Sequence, residues 1–237
     1  NANGTNASGA FNEGNISFDN LTGAASISNC AISRGFTDNF RLVNTAGSLN
    51  RLVFDTVTMG SNSNSGNDSI LLEGLGNATP NVTVQNSIFT GAAGDLFNYV
   101  LNGNNTGDLI FIGNSLSNNH PVIATGGGGV TVVSGNNVAA GATFTFNMSN
   151  NSFRDAVGIA VLIAKSTDPG TVTGTFANNT IGVQAVANSG SAEGSGLKLQ
   201  NIGLGTMTVA VTNNIIRQYN HFGIEVLTGG GATALGG

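Results

Sequence analysis

The chain has 237 residues, of which 40% are hydrophobic, 8% are charged and 36 are glycine, and its net charge is −5. These values exclude a charged disordered tail, which combines low hydrophobicity with high net charge, and the scarcity of strong helix formers excludes a helical protein. The seven basic residues are not clustered, so nothing supports nucleic-acid binding through phosphate contacts. No apolar run is long enough to cross a bilayer as a helix, and we expect no membrane insertion in this segment.

A six-residue pattern with apolar ends and an Asn-rich centre recurs along the chain. Its copies, in chain order, are a degenerate 18–21, then 27–32, a weaker 54–59 with Thr56 in place of Asn, 84–89, 111–116, 133–138, 148–153, 176–181 and 211–216. Most copies lie roughly 22 to 35 residues apart, a period typical of stacked repeats. The step from residue 133 to residue 148 is too short for a full repeat.

Alternating apolar and polar residues precede most copies, as in Val82-Thr83-Val84, and this alternation predicts half-buried strands. A second apolar run follows most copies, at 40–43, 70–72, 96–101, 122–124, 159–163, 197–199 and 224–227. One repeat therefore reads as a strand, an Asn-rich corner, a short strand and a loop. This order predicts an all-β solenoid, a single-stranded parallel β-helix of roughly seven to eight coils whose corner Asn side chains hydrogen-bond in a ladder. The alternative is an antiparallel β-sandwich.

The predicted β-helix spans residues 15–227. Residues 1–14 form a polar N-terminal segment or cap, and residues 228–237 form a Gly-rich tail. The segments 82–91 (VTVQNSIFTG), 211–217 (VTNNIIR) and 222–226 (FGIEV) resemble right-handed parallel β-helix repeats of the pectin-lyase-like superfamily. The Asn- and Gly-rich, charge-poor composition is similar to repeat regions of large bacterial secreted and cell-surface proteins. The resemblance implies a right-handed helix and an extracellular or bacterial cell-surface location, but it does not specify an activity.

The first candidate site is an acidic ladder of Asp38, Asp68 and Asp95, with Asp155 as a further possible member. Each of the first three lies two residues before an apolar residue of a short strand. If the coils stack in register, the carboxylates lie one coil apart and either repel or bind a hard cation such as Ca²⁺. The resemblance points the same way, because the superfamily's pectate lyases hold Ca²⁺ with acidic groups. The alternative is a turn with solvated carboxylates. No other cofactor is expected.

The second candidate site is a polar cluster near the end of the chain. Its members are Arg217, Tyr219, His221 and Glu225. Tyr or His acts as acid or base in a glycan-cleaving enzyme, and Arg stabilises a carboxylate substrate. The alternative is a solvated loop in which Glu225 points outward between buried Ile224 and Val226. The other neighbouring opposite charges, Arg154 with Asp155 and Lys165 with Asp168, are predicted to be surface ion pairs worth less than about 1 kcal/mol.

Outward threonines form a third feature. Thr83, Thr131, Thr145, Thr173 and Thr208 occupy polar positions of strands that precede a corner. In one row on a flat face they would form an array able to bind ice. The alternative is ordinary exposed strand, where β-branched polar residues are common.

These features predict a structural or adhesive module of a bacterial extracellular or cell-surface protein. Its outward Asn, Ser and Thr residues would bind carbohydrate, or a host or neighbouring cell surface, by shape and hydrogen bonding. The low charge argues against electrostatic steering. Two alternatives remain. One is a polysaccharide lyase or glycoside hydrolase, and the other is a fibre module that assembles end to end through exposed strands.

Overall fold

The computed structural model describes residues 14–63, 66–120, 127–135, 141–229 and 234–236, and its regular structure there consists of strands. Numbered in chain order, the strands form three parallel sheets. The first sheet contains β1 (Ile16–Asp19), β4 (Phe40–Asn44), β7 (Ile70–Gly76), β10 (Phe97–Gly103), β13 (Val130–Ser134), β16 (Val161–Lys165), β19 (Leu197–Asn201) and β22 (Ile224–Thr228). The second contains β2 (Gly23–Ser28), β5 (Ser48–Asp55), β8 (Thr79–Gln85), β11 (Thr106–Ile112), β14 (Thr143–Ser149), β17 (Thr171–Ala177), β20 (Thr206–Thr212) and β23 (Ala234–Gly236). The third contains β3 (Ala31–Ile32), β6 (Thr58–Met59), β9 (Ile88–Thr90), β12 (Ser115–Ser117), β15 (Ser152–Arg154), β18 (Thr180–Ile181) and β21 (Ile215–Ile216).

Each coil takes one strand from each sheet, so β1 to β3 form the first described coil and β19 to β21 the seventh. Strands β22 and β23 begin an eighth. Every strand pairs in parallel with its counterpart one coil away, for example Phe97 with Ile70 and with Val130. The structure therefore confirms the parallel β-helix of seven to eight coils, and the antiparallel sandwich alternative is wrong. The described part of the chain contains no helix able to span a membrane.

The third sheet was not predicted as a separate element. The last apolar residue of each six-residue copy at the corner between the second and third sheets lies in a third-sheet strand and points inward. Ile32 in β3 and Phe89 in β9 are examples. These strands have two or three residues and place a single side chain in the core. One inward residue shows no alternation, so periodicity alone did not reveal the sheet.

Two copies of the pattern do not lie at the corner between the second and third sheets. Residues 133–134 end β13 in the first sheet, and 136–138 lie outside the described residues. The copy at 18–21 marks the turn from β1 to β2, where Asn20 has a φ of 56°. Without the copy at 133–138, the copies at the corner between the second and third sheets follow one another coil by coil. Residues 111 and 148, where two successive copies begin, lie one coil apart, as the pairing of Phe111 with Met148 shows. The predicted strand at 122–124 also lies outside the described residues.

Each corner between the second and third sheets contains one residue with a positive φ. These residues are Asn29, Thr56, Asn86, Gly113, Asn150, Asn178 and Asn213. Asn is among the residues that adopt this left-handed conformation most readily, because its short side chain can hydrogen-bond locally. Its frequent occurrence in the repeat is therefore a backbone requirement of the corner.

The residue after this position forms the predicted asparagine ladder, through Asn114, Asn151, Asn179 and Asn214. Oδ1 of Asn151 accepts the backbone N–H of Asn114 at 2.9 Å, and its Nδ2 donates to the carbonyl of Phe111 at 2.8 Å. The same bonds join Asn151 to Asn179 and Asn179 to Asn214. The structure confirms the predicted hydrogen-bonded stacking, which satisfies buried backbone groups at the corner.

The core is formed by columns of inward side chains that run the length of the solenoid. One third-sheet column contains Met59, Phe89, Leu116, Phe153 and Ile181, all almost completely buried. Tyr99 is the largest fully buried side chain, and its hydroxyl donates to the carbonyl of Pro80. Burial raises the pKa of Tyr99 above its ordinary value. The predicted tail at 228–237 includes β23, which pairs with β20 and extends the second sheet. Residues 1–13 of the predicted cap lie outside the described residues.

Candidate functional site

The acidic residues Asp38, Asp68 and Asp95 lie in the loops that lead from the third sheet to the first. Each precedes the first residue of its first-sheet strand by two positions, and Phe40, Ile70 and Phe97 at these strand starts pair with one another. The three carboxyl groups therefore occupy the same position in three successive coils.

The acidic ladder is held together by backbone hydrogen bonds. Oδ1 of Asp38 accepts the N–H of Asp68 at 2.9 Å, and Oδ1 of Asp68 accepts the N–H of Asp95 at 2.8 Å. Oδ1 of Asp95 then accepts the N–H of Gly128 at 2.7 Å. Glycine has no side chain with which to continue, so the ladder ends at the fifth coil. The three aspartates therefore connect four coils. As in the asparagine ladder, each side-chain oxygen accepts a backbone N–H from a neighbouring coil.

The ladder carboxyl groups are shielded from water. Asp38 is 3% exposed and Asp68 is 2% exposed, so the alternative of solvated carboxylates is wrong for these two residues. Burial raises the pKa of Asp38 to about 6, and burial together with the neighbouring Asp95 carboxylate raises the pKa of Asp68 to about 7. Burial also raises the pKa of Asp95. Oδ2 of Asp68 accepts the side-chain amide of Asn98 at 2.9 Å, which partly offsets the loss of water.

Among the residues that the structure describes, no group of three or more His, Cys, Asp or Glu side chains is arranged to hold a metal ion. The Ca²⁺ site at the ladder stays a prediction. Asp155 does not belong to the ladder, because it directly follows β15 and its Oδ2 accepts the Ser117 hydroxyl at 2.6 Å. The ladder position in its coil is Ile159, two residues before Val161.

The second candidate cluster occupies the loop between β21 and β22 and the start of β22. Nη1 of Arg217 donates to Oε1 of Gln184 at 3.0 Å, in the preceding loop. The Tyr219 side chain is 40% exposed, and the backbone N–H of His221 donates to the carbonyl of Gly194 at 3.0 Å. These three residues therefore lie along one exposed loop, and the hydrogen bonds of Arg217 and His221 attach it to the loop before it.

Glu225 binds residues that the sequence analysis did not include. Oε1 of Glu225 lies 2.8 Å from Nζ of Lys198, and Oε2 accepts the Ser195 hydroxyl at 2.6 Å. The hydrogen bond from Lys198, then that from Ser195, lowers the pKa of Glu225, and the charge of His221 adds to the effect. The register pairs Lys198 with Glu225, and aligning residues 197–199 with 224–226 would have revealed the contact. Ile224 and Val226, expected to be buried beside Glu225, are 49% and 55% exposed.

Lys165 and Asp168 are not a surface pair. Both side chains are completely buried, and Nζ of Lys165 donates to Oδ1 of Asp168 at 2.8 Å and to its backbone carbonyl. Oδ2 of Asp168 accepts the N–H of Ala142 at 2.7 Å. The prediction of a surface ion pair is wrong because Lys165 occupies the inward position that follows Val161 and Ile163 in β16. Period-two alternation through β16 is the signal that would have placed it in the core.

The outward threonines do not form a single row. Thr131 lies in the first sheet, and Thr83 is buried beside Arg51, whose Nη1 donates to its hydroxyl at 3.0 Å. The register instead produces two adjacent rows of exposed threonines on β14, β17 and β20. We call this surface the threonine face, and it consists of Thr143, Thr171 and Thr206 in one row and Thr145, Thr173 and Thr208 in the other. The first row was missed because the sequence analysis counted one threonine per strand.

The threonine face carries no charged side chain among its outward positions on these three strands. At its edge, Thr145 donates its hydroxyl to Oδ1 of Asp108 at 2.7 Å, and Asp108 is paired with Arg51 at 2.6 Å. Comparison of the chain with protein-family models, with curated proteins and with solved structures finds no match. The geometry of these surfaces is therefore the basis for assigning a function.

Proposed function

We propose that the chain is a structural or adhesive β-helix module and that its threonine face binds uncharged carbohydrate. The observation that carries this proposal is the register of β14, β17 and β20, which places six exposed threonines in two straight rows. The Asn- and Gly-rich, charge-poor repeats support assignment to a bacterial extracellular or cell-surface protein related to the pectin-lyase-like superfamily.

The threonine face offers hydroxyl groups at regular spacings. Neighbouring strands lie about 4.8 Å apart, and alternate residues of one strand lie roughly 6.6 Å apart. Each hydroxyl both donates and accepts a hydrogen bond, as sugar hydroxyls do, and the threonine methyl group offers an apolar contact to the C–H faces of a sugar ring. Because the rows are part of a paired sheet, little conformational freedom is lost on binding.

The outward positions of these strands carry no charge, which favours a neutral glycan over an acidic one. An acidic glycan gains no cationic partner there, whereas a neutral glycan does not have to displace an ion pair. Electrostatic steering contributes little, so affinity depends on the number of hydrogen bonds formed at once. A repeating polymer matches a repeating surface better than a single sugar does, since each additional coil adds contacts.

The test is a glycan array probed with the wild-type chain and with the double variant Thr171→Val, Thr173→Val. Valine keeps the β-branched shape and removes the hydroxyl. Each hydrogen bond lost on binding is worth about 0.5–1.5 kcal/mol, so we expect affinity for a neutral glycan to fall about tenfold in the double variant. Thr58→Val, at an exposed threonine of the third sheet, is the matched control and should bind as the wild type does. Equal binding by the wild type and the double variant would contradict the proposal.

Two further readouts on the same proteins address the other hypotheses. Inhibition of ice growth that the double variant loses would replace carbohydrate with ice as the ligand of the threonine face. Release of cleaved products from a bound glycan, abolished by His221→Ala, would instead make the chain a polysaccharide lyase or glycoside hydrolase.

A further inference from the structure

A partly exposed ion pair bounds the threonine face on one side. Arg51 extends from β5 across the outer face of β8 to Asp108 in β11, where its Nη2 lies 2.6 Å from Oδ2 of Asp108. Nη1 of Arg51 donates to the carbonyl of Val82 at 3.2 Å and to the hydroxyl of Thr83 at 3.0 Å. The guanidinium is therefore already held in place and does not have to be ordered when a ligand binds.

The ion pair can form further hydrogen bonds. The side chains of Arg51 and Asp108 are 31% and 35% exposed, whereas the Lys165–Asp168 pair is completely buried. A carboxylate offers about four acceptor sites, and a guanidinium offers five N–H groups. Asp108 uses one site for Arg51 and one for the Thr145 hydroxyl, so acceptor sites remain for a ligand. Hydrogen bonds to a charged group are roughly twice as strong as those between neutral groups.

The two rows of the threonine face continue onto β11. Thr106 is exposed and pairs with Thr143, so it extends the first row by one coil. Asp108 pairs with Thr145, so it takes the next place in the second row. A ligand that lies along the rows therefore reaches the ion pair without a change of direction, about 4.8 Å beyond Thr145.

The resulting array is longer along the rod axis than across it. The four strands β11, β14, β17 and β20 give three steps of about 4.8 Å, whereas the two rows lie roughly 6.6 Å apart. On the other side β23 aligns Ala234 and Gly236 with the two rows, and neither residue type carries a hydroxyl. A linear glycan therefore makes the most contacts when it runs along the axis. An extended β-(1→4)-linked glycan keeps its rings in one line and follows the rows, whereas a helically coiled glycan leaves them.

We propose that the threonine face binds an extended β-(1→4)-linked glycan along the rod axis, and that Arg51 and Asp108 bind the vicinal hydroxyls of the sugar at the β11 edge. This inference rests on the proposed function and adds the linkage, the direction and the specificity-determining residues of the same site. One hydroxyl donates to the Asp108 carboxylate, and its neighbour accepts from the Arg51 guanidinium. The pair is neutral overall, so it adds strong hydrogen bonds without favouring a charged glycan.

The experiment measures the affinity of the wild-type chain and of Asp108→Asn for two ligands by isothermal titration calorimetry. The ligands are cellotetraose and fully acetylated N-acetylchitotetraose. Both are neutral, extended and β-(1→4)-linked, but an acetamido group in the second replaces one hydroxyl of each vicinal pair. We expect the wild type to prefer cellotetraose by about tenfold, the effect of one hydrogen bond to a charged group. Asp108→Asn should remove this preference by weakening cellotetraose binding alone.

Asp55→Asn, at the last residue of β5, is the matched control and should keep the wild-type preference. A purely structural role of Asp108 would instead lower both affinities by the same factor. Maltotetraose, which is α-(1→4)-linked and coiled, should bind the wild type more weakly than cellotetraose does. Thermal melting verifies that each variant folds, and Arg51→Gln, which removes the guanidinium, serves if Asp108→Asn does not fold.

Three results with the wild type and Asp108→Asn would overturn the inference. They are a wild type that does not prefer cellotetraose to either other ligand, a variant that keeps the preference, and a variant that weakens both β-linked ligands equally. Binding of another neutral glycan but not of cellotetraose would overturn the inference and leave the proposed function intact. Binding of no neutral glycan would contradict the proposed function, and the inference with it.

Discussion

Lys165 and Asp168 form an ion pair inside the solenoid in which neither side chain has any exposed surface. The carboxylate also accepts backbone N–H groups of Ala142 and Gly170, at 2.7 and 3.2 Å. It therefore fixes the turn between β16 and β17 and joins this turn to the start of β14, while neutralising a lysine that water cannot reach. Such a pair stabilises only as a unit, because either partner alone is a buried charge.

Removing the charge of Asp168 should therefore be strongly destabilising. Asp168→Asn keeps one oxygen as an acceptor and leaves Lys165 without its counter-ion, and we expect unfolding to require about 3–5 kcal/mol less free energy. Urea titration measures the change. The double variant Lys165→Met, Asp168→Asn should recover part of the loss, since no buried charge remains. Arg154→Met, at the exposed pair with Asp155, should change stability by less than about 1 kcal/mol. A single variant as stable as the wild type would show that the pair is solvated.

The acidic ladder should make the protein more stable in mild acid than in weak base. The folded carboxyl groups of Asp38 and Asp68 have pKa values of about 6 and 7, above the ordinary value of 3.8. As the pH falls through this range the folded protein binds protons that the unfolded chain does not yet bind, so stability rises. We expect the free energy of unfolding to be about 2–4 kcal/mol higher at pH 5 than at pH 8.

Asp68→Asn is the variant that isolates this effect. Asparagine keeps the acceptor for the N–H of Asp95, and Asn98, whose Oδ1 has no partner in the structure, can turn to accept the new amide. We expect higher stability at pH 8 and a weaker dependence on pH. Asp19→Asn, at an exposed carboxylate, should leave the pH dependence unchanged. A wild-type protein that is less stable at pH 5 than at pH 8 would contradict the prediction.

The prediction that the acidic ladder binds Ca²⁺ is tested on the wild type and on Asp68→Asn. If Ca²⁺ binds the ladder, added Ca²⁺ should raise the melting temperature of the wild type at pH 8, where the carboxyl groups are ionised, and EDTA should reverse the change. Asp68→Asn should show a smaller shift. Equal melting temperatures with Ca²⁺ and with EDTA would exclude a stabilising calcium site in the ladder.

Substitution of a central residue of the asparagine ladder should destabilise the protein. Asn151→Ala removes the acceptor for the backbone N–H of Asn114 and the donor for the carbonyl of Phe111, and leaves both buried. Each unpaired buried group costs about 1–3 kcal/mol, so we expect a total loss of about 2–5 kcal/mol in urea unfolding. Asn147→Ala, on the exposed face of β14, is the matched control and should change stability by less than about 0.5 kcal/mol. Similar losses for the two variants would show that the ladder bonds do not stabilise the coil.

Gly174 occupies an inward position of β17 against the ring of Phe146. A Cβ at residue 174 would overlap that ring, which also stacks on Phe144. We expect Gly174→Ala to destabilise the protein by about 1–3 kcal/mol through overpacking, measured by urea unfolding. Adding Phe146→Leu to this variant should cost less than it does in the wild type, because it makes room for the new methyl group. Strictly additive effects would mean that the two positions do not compete for the same space.

The fold was predictable because the corner has a strict chemical requirement. A left-handed backbone residue occurs at this corner in each of the first seven coils, and in the fourth to seventh coils a ladder amide follows it. Asn meets both needs, as Asn150 and Asn151 show. The position of the aspartate ladder followed from a constant offset to the first-sheet strands. The corner pattern and the aspartate offset both involve residues that are close together in the sequence of one coil. Such patterns can be recognised without a structure.

Features that depend on register between coils were harder to predict. The step from Val161 to Leu197 is 36 residues, and the step from Leu197 to Ile224 is 27, because the loops between the sheets differ in length. The contact of Lys198 with Glu225 therefore has no fixed spacing in sequence. Lys165 was misplaced for a different reason, since its charge was given more weight than its position in an alternating strand.

The parallel pairing of every coil with the next determines how the molecule responds to tension. The hydrogen bonds between coils run along the rod axis, so an axial pull between the termini loads successive coil interfaces in series rather than together. A coil that detaches exchanges a rise of about 4.8 Å for an extended chain of some 30 residues, or roughly 100 Å of contour length. Stretched from its ends, the protein should lengthen in a sawtooth of such steps, one for each coil that detaches.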